Sequence, residues 1–259
     1  QIKSVTTSIK HPSEMKEENI TKEILEQEIR EHFSYVGDLS SHPIVPKMQE
    51  LEVRPSEVAF IKPHEQGVRT PFSADKSGCR HQVRKQIDDY LRRGYFRRAS
   101  SGEEILNPLL LIKKKDGTYR FTNDFRRLNA YFDRSGTEQV DAWRRLWQVK
   151  KEWRYFSKID LKDGFFGIPV SKSLQNAFGF TWGNERFVWQ RLPMGWVWSP
   201  ILFAERNAEI VQGIDVIQYV DDILIGGKTK KELRDKMWKV FQRLEEYGLK
   251  VNFDKVDFL

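Results

Sequence analysis

The amino-acid sequence predicts an α+β fold, and three observations lead to this prediction. Pairs of apolar runs separated by short turns recur along the chain, which is typical of β-hairpins. Between them, apolar residues at helical spacing predict helices, one near 80–93 and a longer one after Thr229. The 259 residues are 39% hydrophobic and 13% aromatic, so the chain can bury a core. We find no internal repeat, which argues against solenoid and fibrous folds.

The first half of the chain contains two helical segments and one hairpin. A polar leader, 1–34, has a helical stretch near 21–32, and 35–75 is rich in proline, which favours extended backbone. The helix near 80–93 is expected to end at Gly94. Strands at 106–112 and 118–125 flank the turn Lys115-Asp116-Gly117, so this hairpin has a cationic tip.

The second half alternates strands and helices. A strand is predicted at 155–161, hairpins at 176–182 with 186–191 and at 216–220 with 223–225, and one or two closing strands at 249–259. Ser199 is predicted to cap a helix that runs to about 211, and Asp221-Asp222 is predicted to form a turn. Thr229 should begin the long amphipathic helix, which Gly248 should end. Residues 133–153 give no clear prediction.

Cysteine content and hydropathy exclude several classes of protein. Cys79 is the only cysteine, so an intrachain disulfide is impossible, and Cys79-Arg80-His81 fits no common zinc module. No segment approaches the roughly 18 consecutive apolar residues of a membrane span, and we expect no membrane partner. The first residue is Gln1 rather than Met, so we expect a segment of a larger polypeptide.

Positive charge is concentrated in one window. Between Arg80 and Arg134, fourteen Lys or Arg residues face seven Asp or Glu residues, which accounts for the whole formal net charge of +7. Aromatic residues are spread through this window, among them Tyr90, Tyr95, Phe96, Tyr119, Phe121 and Phe125. Cations with interspersed aromatic rings suit a surface that follows a nucleic-acid backbone. A solvated charged face above buried aromatic residues is the alternative, and the charge pattern alone does not choose.

Carboxylates end two of the predicted apolar strands. Asp160 follows Ile159, and Asp221-Asp222 follow Tyr219-Val220. If the two strand ends are neighbours in one sheet, these carboxylates converge, and their mutual repulsion calls for a cation. Oxygen ligands without His or Cys favour Mg²⁺ or Mn²⁺ over Zn²⁺, and such ions act on phosphates. A nuclease and a nucleotidyltransferase both remain open on this argument.

The order of five sequence blocks carries a resemblance to a known family. The blocks are Leu111–Gly117, Tyr119-Arg120 through Asp124–Asn129, Asp160–Phe166, Leu192–Trp196 with Ser199-Pro200, and Tyr219–Asp222. In this order and spacing, the chain from about Pro46 onward resembles the fingers and palm of a retroviral or LTR-retrotransposon reverse transcriptase. Gly248-Leu249-Lys250 and Phe258-Leu259 are similar to the closing strands of that palm.

The resemblance implies a right-hand polymerase architecture. The palm would be an antiparallel sheet backed by helices. The fingers would comprise 46–133 and about 166–192, the palm 134–165 and 193–259, and an amino-terminal extension 1–45. The thumb and RNase H domains of the family would lie outside this sequence.

The resemblance also implies roles for individual residues. The catalytic metal ligands would be Asp160, Asp221 and Asp222, with the Leu161 carbonyl near the second ion. The nucleotide would contact Lys114, Arg120, Asp163, Gly164, Phe165 and Met194, with Phe165 as a steric gate against a ribose 2′-OH. The template and primer would contact Asp124, Phe125, Arg126, Gly195, Trp196 and Tyr219. Two residues depart from the family pattern: Met194 replaces the usual Gln, and Trp198 stands where a smaller residue is common.

The activity implied is RNA-directed DNA synthesis, in which deoxynucleotides are added to a primer 3′-OH with two Mg²⁺ ions, Mn²⁺ being possible. Partners would be an RNA or DNA template with its primer, dNTPs, and further polyprotein domains such as thumb, RNase H and integrase. The location would be the cytoplasm or a virus-like particle. A non-catalytic nucleic-acid-binding or assembly module stays open as the alternative. Phe165 disfavours a third option, an RNA polymerase.

Overall fold

The computed structural model describes residues 16–33, 77–99, 102, 104–132, 148–161 and 164–258. The strands within these residues are β1 (Phe96–Arg98), β2 (Leu109–Lys113), β3 (Tyr119–Asn123), β4 (Tyr155–Asp160), β5 (Gly179–Trp182), β6 (Glu185–Trp189), β7 (Val216–Tyr219) and β8 (Asp222–Gly227). The helices are α1 (Lys22–His32), α2 (Ser77–Arg92), α3 (Arg126–Asn129), α4 (Lys172–Gln175), α5 (Ser199–Ile210) and α6 (Lys230–Glu246). The α+β prediction is confirmed. The predictions for 35–75 lie outside the described residues.

The strands form three antiparallel sheets. Their orders are β1-β6-β5, β2-β3 and β4-β8-β7. All three predicted hairpins are present; most of their strands are somewhat shorter than predicted, whereas β8 is longer. The three-residue strand β1 was not predicted, because it pairs with β6 about 90 residues later in the chain. Such a long-range partner leaves no local signal in the sequence.

Three local predictions were wrong. Residues Asn176–Phe178 form a 3₁₀-helix before β5 begins. Ser199 does not cap α5; its hydroxyl instead donates to the Pro193 carbonyl at 2.6 Å. Beyond Gly248, the described residues form isolated bridges and a 3₁₀ turn, Phe253–Lys255, rather than extended strands. The Asn252 side chain accepts a hydrogen bond from the Asp254 amide at 3.2 Å, which favours a turn there.

Aromatic side chains from α2 and the first two sheets form one core. Tyr90 contacts Phe96, Phe121 and Trp189, with ring centroids 5.6–6.2 Å apart. Phe96, Phe121 and Phe125 are all at most 6% exposed. Because these rings are buried, they pack a core beneath a charged surface. The alternative interpretation of that window is therefore correct for Phe96, Phe121 and Phe125, whereas Tyr119 is partly buried and Tyr131 is exposed.

Helix α6 covers the β4-β8-β7 sheet, and α1 packs on α6. Phe33, directly after α1, contacts Trp238 and Phe241 with ring centroids 4.9 and 5.6 Å apart. Arg234, almost fully buried, donates from Nε to Glu28 Oε2 at 2.7 Å. The helix predicted in the leader is thus attached to the sheet through α6. No helix in the described ranges combines the length and apolar character needed to cross a bilayer.

Candidate active site

The predicted carboxylates meet at one end of the β4-β8-β7 sheet. In the antiparallel β4-β8 ladder, Asp160 pairs directly with Asp222, and Asp222 also pairs with Tyr219 of β7. The Leu161 amide donates to the Asp221 carbonyl at 2.9 Å, so the ladder continues past β4. The prediction that the two strand ends lie side by side is confirmed.

The turn between β7 and β8 differs by one residue from the predicted one. Val220 and Asp221 form it, while Asp222 begins β8. Val220 has φ = 51°, the only positive φ of a non-glycine residue among those described. A β-branched residue rarely adopts this conformation, which costs about 1–2 kcal/mol. The turn must therefore be held by contacts with the rest of the protein.

Two buried amides hold this turn, and sequence reasoning missed both. Asn207 of α5 donates from Nδ2 to the Val220 carbonyl at 2.7 Å, and Gln218 donates to the same oxygen at 3.1 Å. Their residues are 1% and 7% exposed. A polar residue on the buried face of a helix was the available signal for Asn207. These bonds fix the backbone that carries Asp221.

The three carboxylates differ in their electrostatic surroundings. Burial raises the pKa of Asp221, and the nearby charges of Asp222 and Asp160 raise it further. Lys158 Nζ lies 2.9 Å from Asp222 Oδ1, and Lys255 Nζ lies 3.5 Å from Asp160 Oδ2. Within the described ranges, no three Asp, Glu, His or Cys side chains form a metal-binding cluster. The backbone brings the carboxylates together, while two of them face lysines.

Phe165 lies on a 3₁₀ turn, Gly164–Gly167, that follows β4. Its half-buried ring stacks on Phe203 of α5, with centroids 4.6 Å apart and planes at 27°. Gly164 is required here, because a Cβ at this position would overlap the Phe203 ring. Phe203 is a further residue that sequence reasoning missed. Lys162 and Asp163 lie outside the described residues, so the nucleotide contact predicted for Asp163 stays a prediction.

The loop 193–198 is tied to α3 by one side chain. Asn129 donates to the Gly195 carbonyl at 3.0 Å and accepts from the Val197 amide at 2.9 Å. Gly195 is exposed with φ = 95°, a conformation that favours glycine. Trp196, by contrast, is 2% exposed and packs edge-on against Phe132 and Phe178. Its ring supports the loop from inside and offers no face to a ligand.

Met194 lies partly buried against the hydrophobic core. Its thioether is a weak hydrogen-bond acceptor and cannot donate. Trp198, the second departure from the family pattern, is also partly buried against this core at the start of α5. In the structure, both Met194 and Trp198 therefore contribute by packing against the hydrophobic core.

The β2-β3 hairpin presents the predicted cations to solvent. Lys114 and Arg120 are both exposed, and the Lys114 amide donates to the Thr118 carbonyl at 2.7 Å. Asp116 accepts from the Thr118 amide and hydroxyl at 2.9 and 2.6 Å, which closes the turn. The backbone of the tip is thus fixed, while both cationic side chains can reach a ligand.

Beyond the hairpin, Asp124 and Arg126 form a local ion pair. Arg126 donates to both carboxylate oxygens of Asp124, and this hydrogen bonding lowers the pKa of Asp124. Both side chains line a cleft of about 420 Å³ together with Asn107, Arg127 and Tyr131. Phe125 between them is 2% exposed and packs on Phe178, so its ring supports the segment from inside.

Comparisons with known proteins show which family the chain resembles. The family model described as reverse transcriptase (RNA-dependent DNA polymerase) matches residues 112–259, more than half of the sequence. The Gag-Pro-Pol polyprotein of human T-cell leukemia virus 2 is 31% identical over 163 residues, 58% of this chain and 11% of the polyprotein. The Gag-Pol polyprotein of bovine immunodeficiency virus is 29% identical over 221 residues, 79% of this chain and 14% of that polyprotein. The chain therefore spans only a small part of such relatives.

Solved structures show the same fold. A foamy viral protease-reverse transcriptase in complex with dsDNA matches with a TM-score of 0.71 and 23% identity, over 93% of this chain and 49% of that one. The same type of protein in complex with an RNA/DNA hybrid gives a TM-score of 0.70 at 23% identity, over 93% of this chain and 32% of that one. With the family model covering both the cationic hairpin tip and the paired carboxylates, the chain belongs to the reverse transcriptase family.

Proposed function

We propose that this chain is the polymerase part of a reverse transcriptase, which adds deoxynucleotides to a primer 3′-OH on an RNA or DNA template. The observation that carries the proposal is the pairing of Asp160 with Asp222 across the β4-β8 ladder, with Asp221 in the adjoining turn. The related foamy viral proteins were solved with dsDNA and with an RNA/DNA hybrid, which supports the same partners here.

The donor atoms at the sheet end suit Mg²⁺ or Mn²⁺. Asp160, Asp221 and Asp222 supply hard carboxylate oxygens, and the Leu161 carbonyl adds another oxygen nearby. The raised pKa of Asp221 has negative neighbours among its causes, and a cation would relieve that repulsion. Two bound ions would activate the primer hydroxyl and stabilise the leaving oxygen. We propose these residues as the ligands.

The protein's own residues would position the substrates. Lys114 and Arg120 would hold the triphosphate, since an ammonium and a guanidinium both bind phosphate oxygens well. Gly164, Phe165 and Met194 would contact the nucleotide, and Asp124, Arg126, Gly195 and Tyr219 the template or primer. Such positioning turns a reaction between separate molecules into one within a single complex, which accounts for much of polymerase catalysis.

We further propose the division into fingers (46–133 and about 166–192), palm (134–165 and 193–259) and amino-terminal extension (1–45). The sheet bearing Asp160 and Asp222 would be the palm, and the β2-β3 hairpin part of the fingers. The working protein would be a product of a viral or element polyprotein with further domains, acting in the cytoplasm or a virus-like particle. The polyprotein relatives support this context.

Primer extension on a recessed RNA template with Mg²⁺ tests the proposed function. The 259-residue chain and a longer natural product that contains it should both be assayed, with dNTPs and rNTPs in parallel. We expect extension with dNTPs. Tight binding of the primer-template without extension by either protein would overturn the proposal and favour the nucleic-acid-binding module.

Replacing Phe165 by Val should weaken discrimination against ribonucleotides. The smaller side chain leaves room for a 2′-OH, so we expect the ratio of dNTP to rNTP incorporation efficiency to fall about ten- to a hundredfold. Single-nucleotide kcat/KM values measure this ratio. Phe156→Val, an exposed position on the same strand as Asp160, is the matched control and should leave the ratio unchanged. An unchanged ratio in Phe165→Val would contradict the gate.

Replacing Lys158 by Met should strengthen binding of divalent cations. The ammonium pairs with Asp222 and so competes for a proposed ligand. Because ion pairs this exposed contribute about 0.2–1 kcal/mol, we expect the dissociation constant for Mn²⁺ to fall roughly two- to fivefold. Electron paramagnetic resonance of free Mn²⁺ measures this directly, without turnover. Lys172→Met, at an exposed lysine on α4, is the control; equal affinities in all three proteins would sink the competition idea.

A further inference from the structure

The β2-β3 hairpin is a separate two-stranded sheet, although its side chains Phe121 and Asn123 contact Trp189 of the first sheet. Its two strands pair only with each other among the described residues, and two-stranded hairpins alone are marginally stable in water. The hairpin nevertheless carries Lys114 and Arg120, whose proposed task demands a defined position. Contacts outside the hairpin must therefore hold it.

The free edge of β3 faces helix α2. In the β2-β3 ladder the hydrogen-bonded pairs are those in register with Lys114 and Thr118, namely Ile112 with Arg120 and Leu110 with Thr122. The amides of Tyr119 and Phe121 therefore point away from β2. Unpaired edge amides need partners from solvent or from another element.

Two glutamines of α2 supply these partners. Gln82 Oε1 accepts from the Tyr119 amide at 3.3 Å, and Gln86 Oε1 accepts from the Phe121 amide at 3.2 Å. Four residues of helix rise about 6.0 Å, and two residues of an antiparallel strand span about 6.8 Å. The spacings nearly match, so one helix turn can serve two successive outward-facing amides. We call Gln82 and Gln86 the glutamine clasp.

Side-chain packing supports the core side of this contact. The Phe121 ring lies 5.6 Å from Tyr90 in the aromatic core, and Tyr119 is partly buried against the same core. On the open side, Gln82 and Gln86 line a cleft of about 650 Å³ between α2 and the hairpin, and its charged lining residues are Lys85, Asp88, Asp89, Arg92 and Lys114. The clasp therefore holds the open side of the contact between helix and hairpin.

We propose that Gln82 and Gln86 are positioning residues for nucleotide binding. Side chains alternate along a strand, so fixing the backbone at Tyr119 and Phe121 fixes the face on which Arg120 projects. The same bonds set how far the tip with Lys114 stands from α2. This inference rests on the proposed function, since it gives the clasp its role through the triphosphate.

The test compares two double variants. Gln82→Met with Gln86→Met keeps side-chain length but removes the acceptor oxygens, whereas Gln82→Glu with Gln86→Glu keeps an acceptor. Amide hydrogen exchange at Tyr119 and Phe121, measured without substrate, should be at least about tenfold faster in the Met variant, while the Glu variant should retain protection. Gln212→Met, at an exposed position, is the control.

Kinetics with a primer-template then test the positioning role. In the Met variant we expect the KM for dNTP to rise about three- to tenfold, while kcat and the primer-template dissociation constant stay within twofold of wild type. Unchanged exchange at both amides would overturn the clasp. Faster exchange with an unchanged KM would overturn its positioning role. If even the wild type incorporates no nucleotide, the proposed function fails, while the exchange rates still decide whether the clasp exists.

Discussion

Replacing Asp221 by Asn is expected to lower the rate of nucleotide incorporation by at least about a hundredfold, and up to a thousandfold, without unfolding the protein. The amide keeps the size of the side chain but loses the negative charge that a divalent ion needs. The turn should survive, because its hydrogen bonds use the backbone carbonyls of Val220 and Asp221. Single-turnover incorporation with saturating primer-template measures the effect.

The stability of Asp221→Asn should not fall with its activity; it should stay the same or rise slightly. The pKa of Asp221 is raised, first by burial and then by Asp222 and Asp160, so the folded state binds this proton more tightly than the unfolded state. Ionisation as the pH rises through the folded-state pKa therefore lowers stability, and the penalty is fully present above that pKa. Asn removes the charge, so without added metal the melting temperature at pH 7 should equal or slightly exceed that of wild type.

Asp254→Asn is the matched control, because Asp254 lies on the surface with its side chain 88% exposed. This variant should incorporate nucleotides at the wild-type rate. Activity of Asp221→Asn within tenfold of wild type would contradict the assignment of this carboxylate. Loss of activity together with a large fall in melting temperature would show that the side chain serves the fold instead.

The carboxylate pair could be predicted because its signal is local. Apolar strands that end in acids are visible in the sequence, and antiparallel pairing then places Asp160 opposite Asp222. The turn position could not be predicted, because Val220 adopts a conformation that its own side chain disfavours. Asn207, which lies on α5, and Gln218, two residues before Val220, hold the turn in this conformation.

The two lysines near the carboxylates also differ in whether their positions can be predicted from the sequence. Lys158 lies two residues before Asp160, so strand periodicity places both on one face of the sheet. That proximity was readable from the sequence. Lys255, by contrast, is almost a hundred residues from Asp160 in the sequence. It reaches Asp160 because the closing segment of the chain pairs with β4 through the bridge between Lys158 and Asp257. Such a contact depends on the assembled sheet.

Replacing Gly226 by Ala is expected to lower the free energy of unfolding by about 3 kcal/mol. Gly226 lies near the far end of β8, opposite Phe156 of β4. A Cβ here would overlap the indole of Trp153, whose Cζ3 would lie 2.7 Å away. Trp153 is 4% exposed, and Lys236 Nζ lies 4.7 Å from the centroid of its ring, so the indole has little room to move. The melting temperature should fall by roughly 6–10 °C.

A double-mutant cycle separates the overlap from other effects. Trp153→Ala alone should cost about 3–5 kcal/mol, and adding Gly226→Ala to it should cost little more, because the space left by the indole accepts the methyl group. Gly213→Ala is the control for backbone strain, since a Cβ there meets no atom within 4 Å and only its φ of 79° is unfavourable. Additive costs in the cycle would contradict the proposed overlap.

Gly226→Ala also tests whether the carboxylate end of the β4-β8-β7 sheet depends on the packing of Gly226 against Trp153 at the other end. Asp222 lies four residues from Gly226 along β8, about 13 Å away. The β4-β8 ladder between them has its own hydrogen bonds, and α6 packs against both strands. We therefore expect Gly226→Ala, assayed well below its melting temperature, to keep wild-type kcat per folded molecule. A proportional loss of kcat in fully folded protein would show that the indole end of the sheet sets the geometry of the carboxylates.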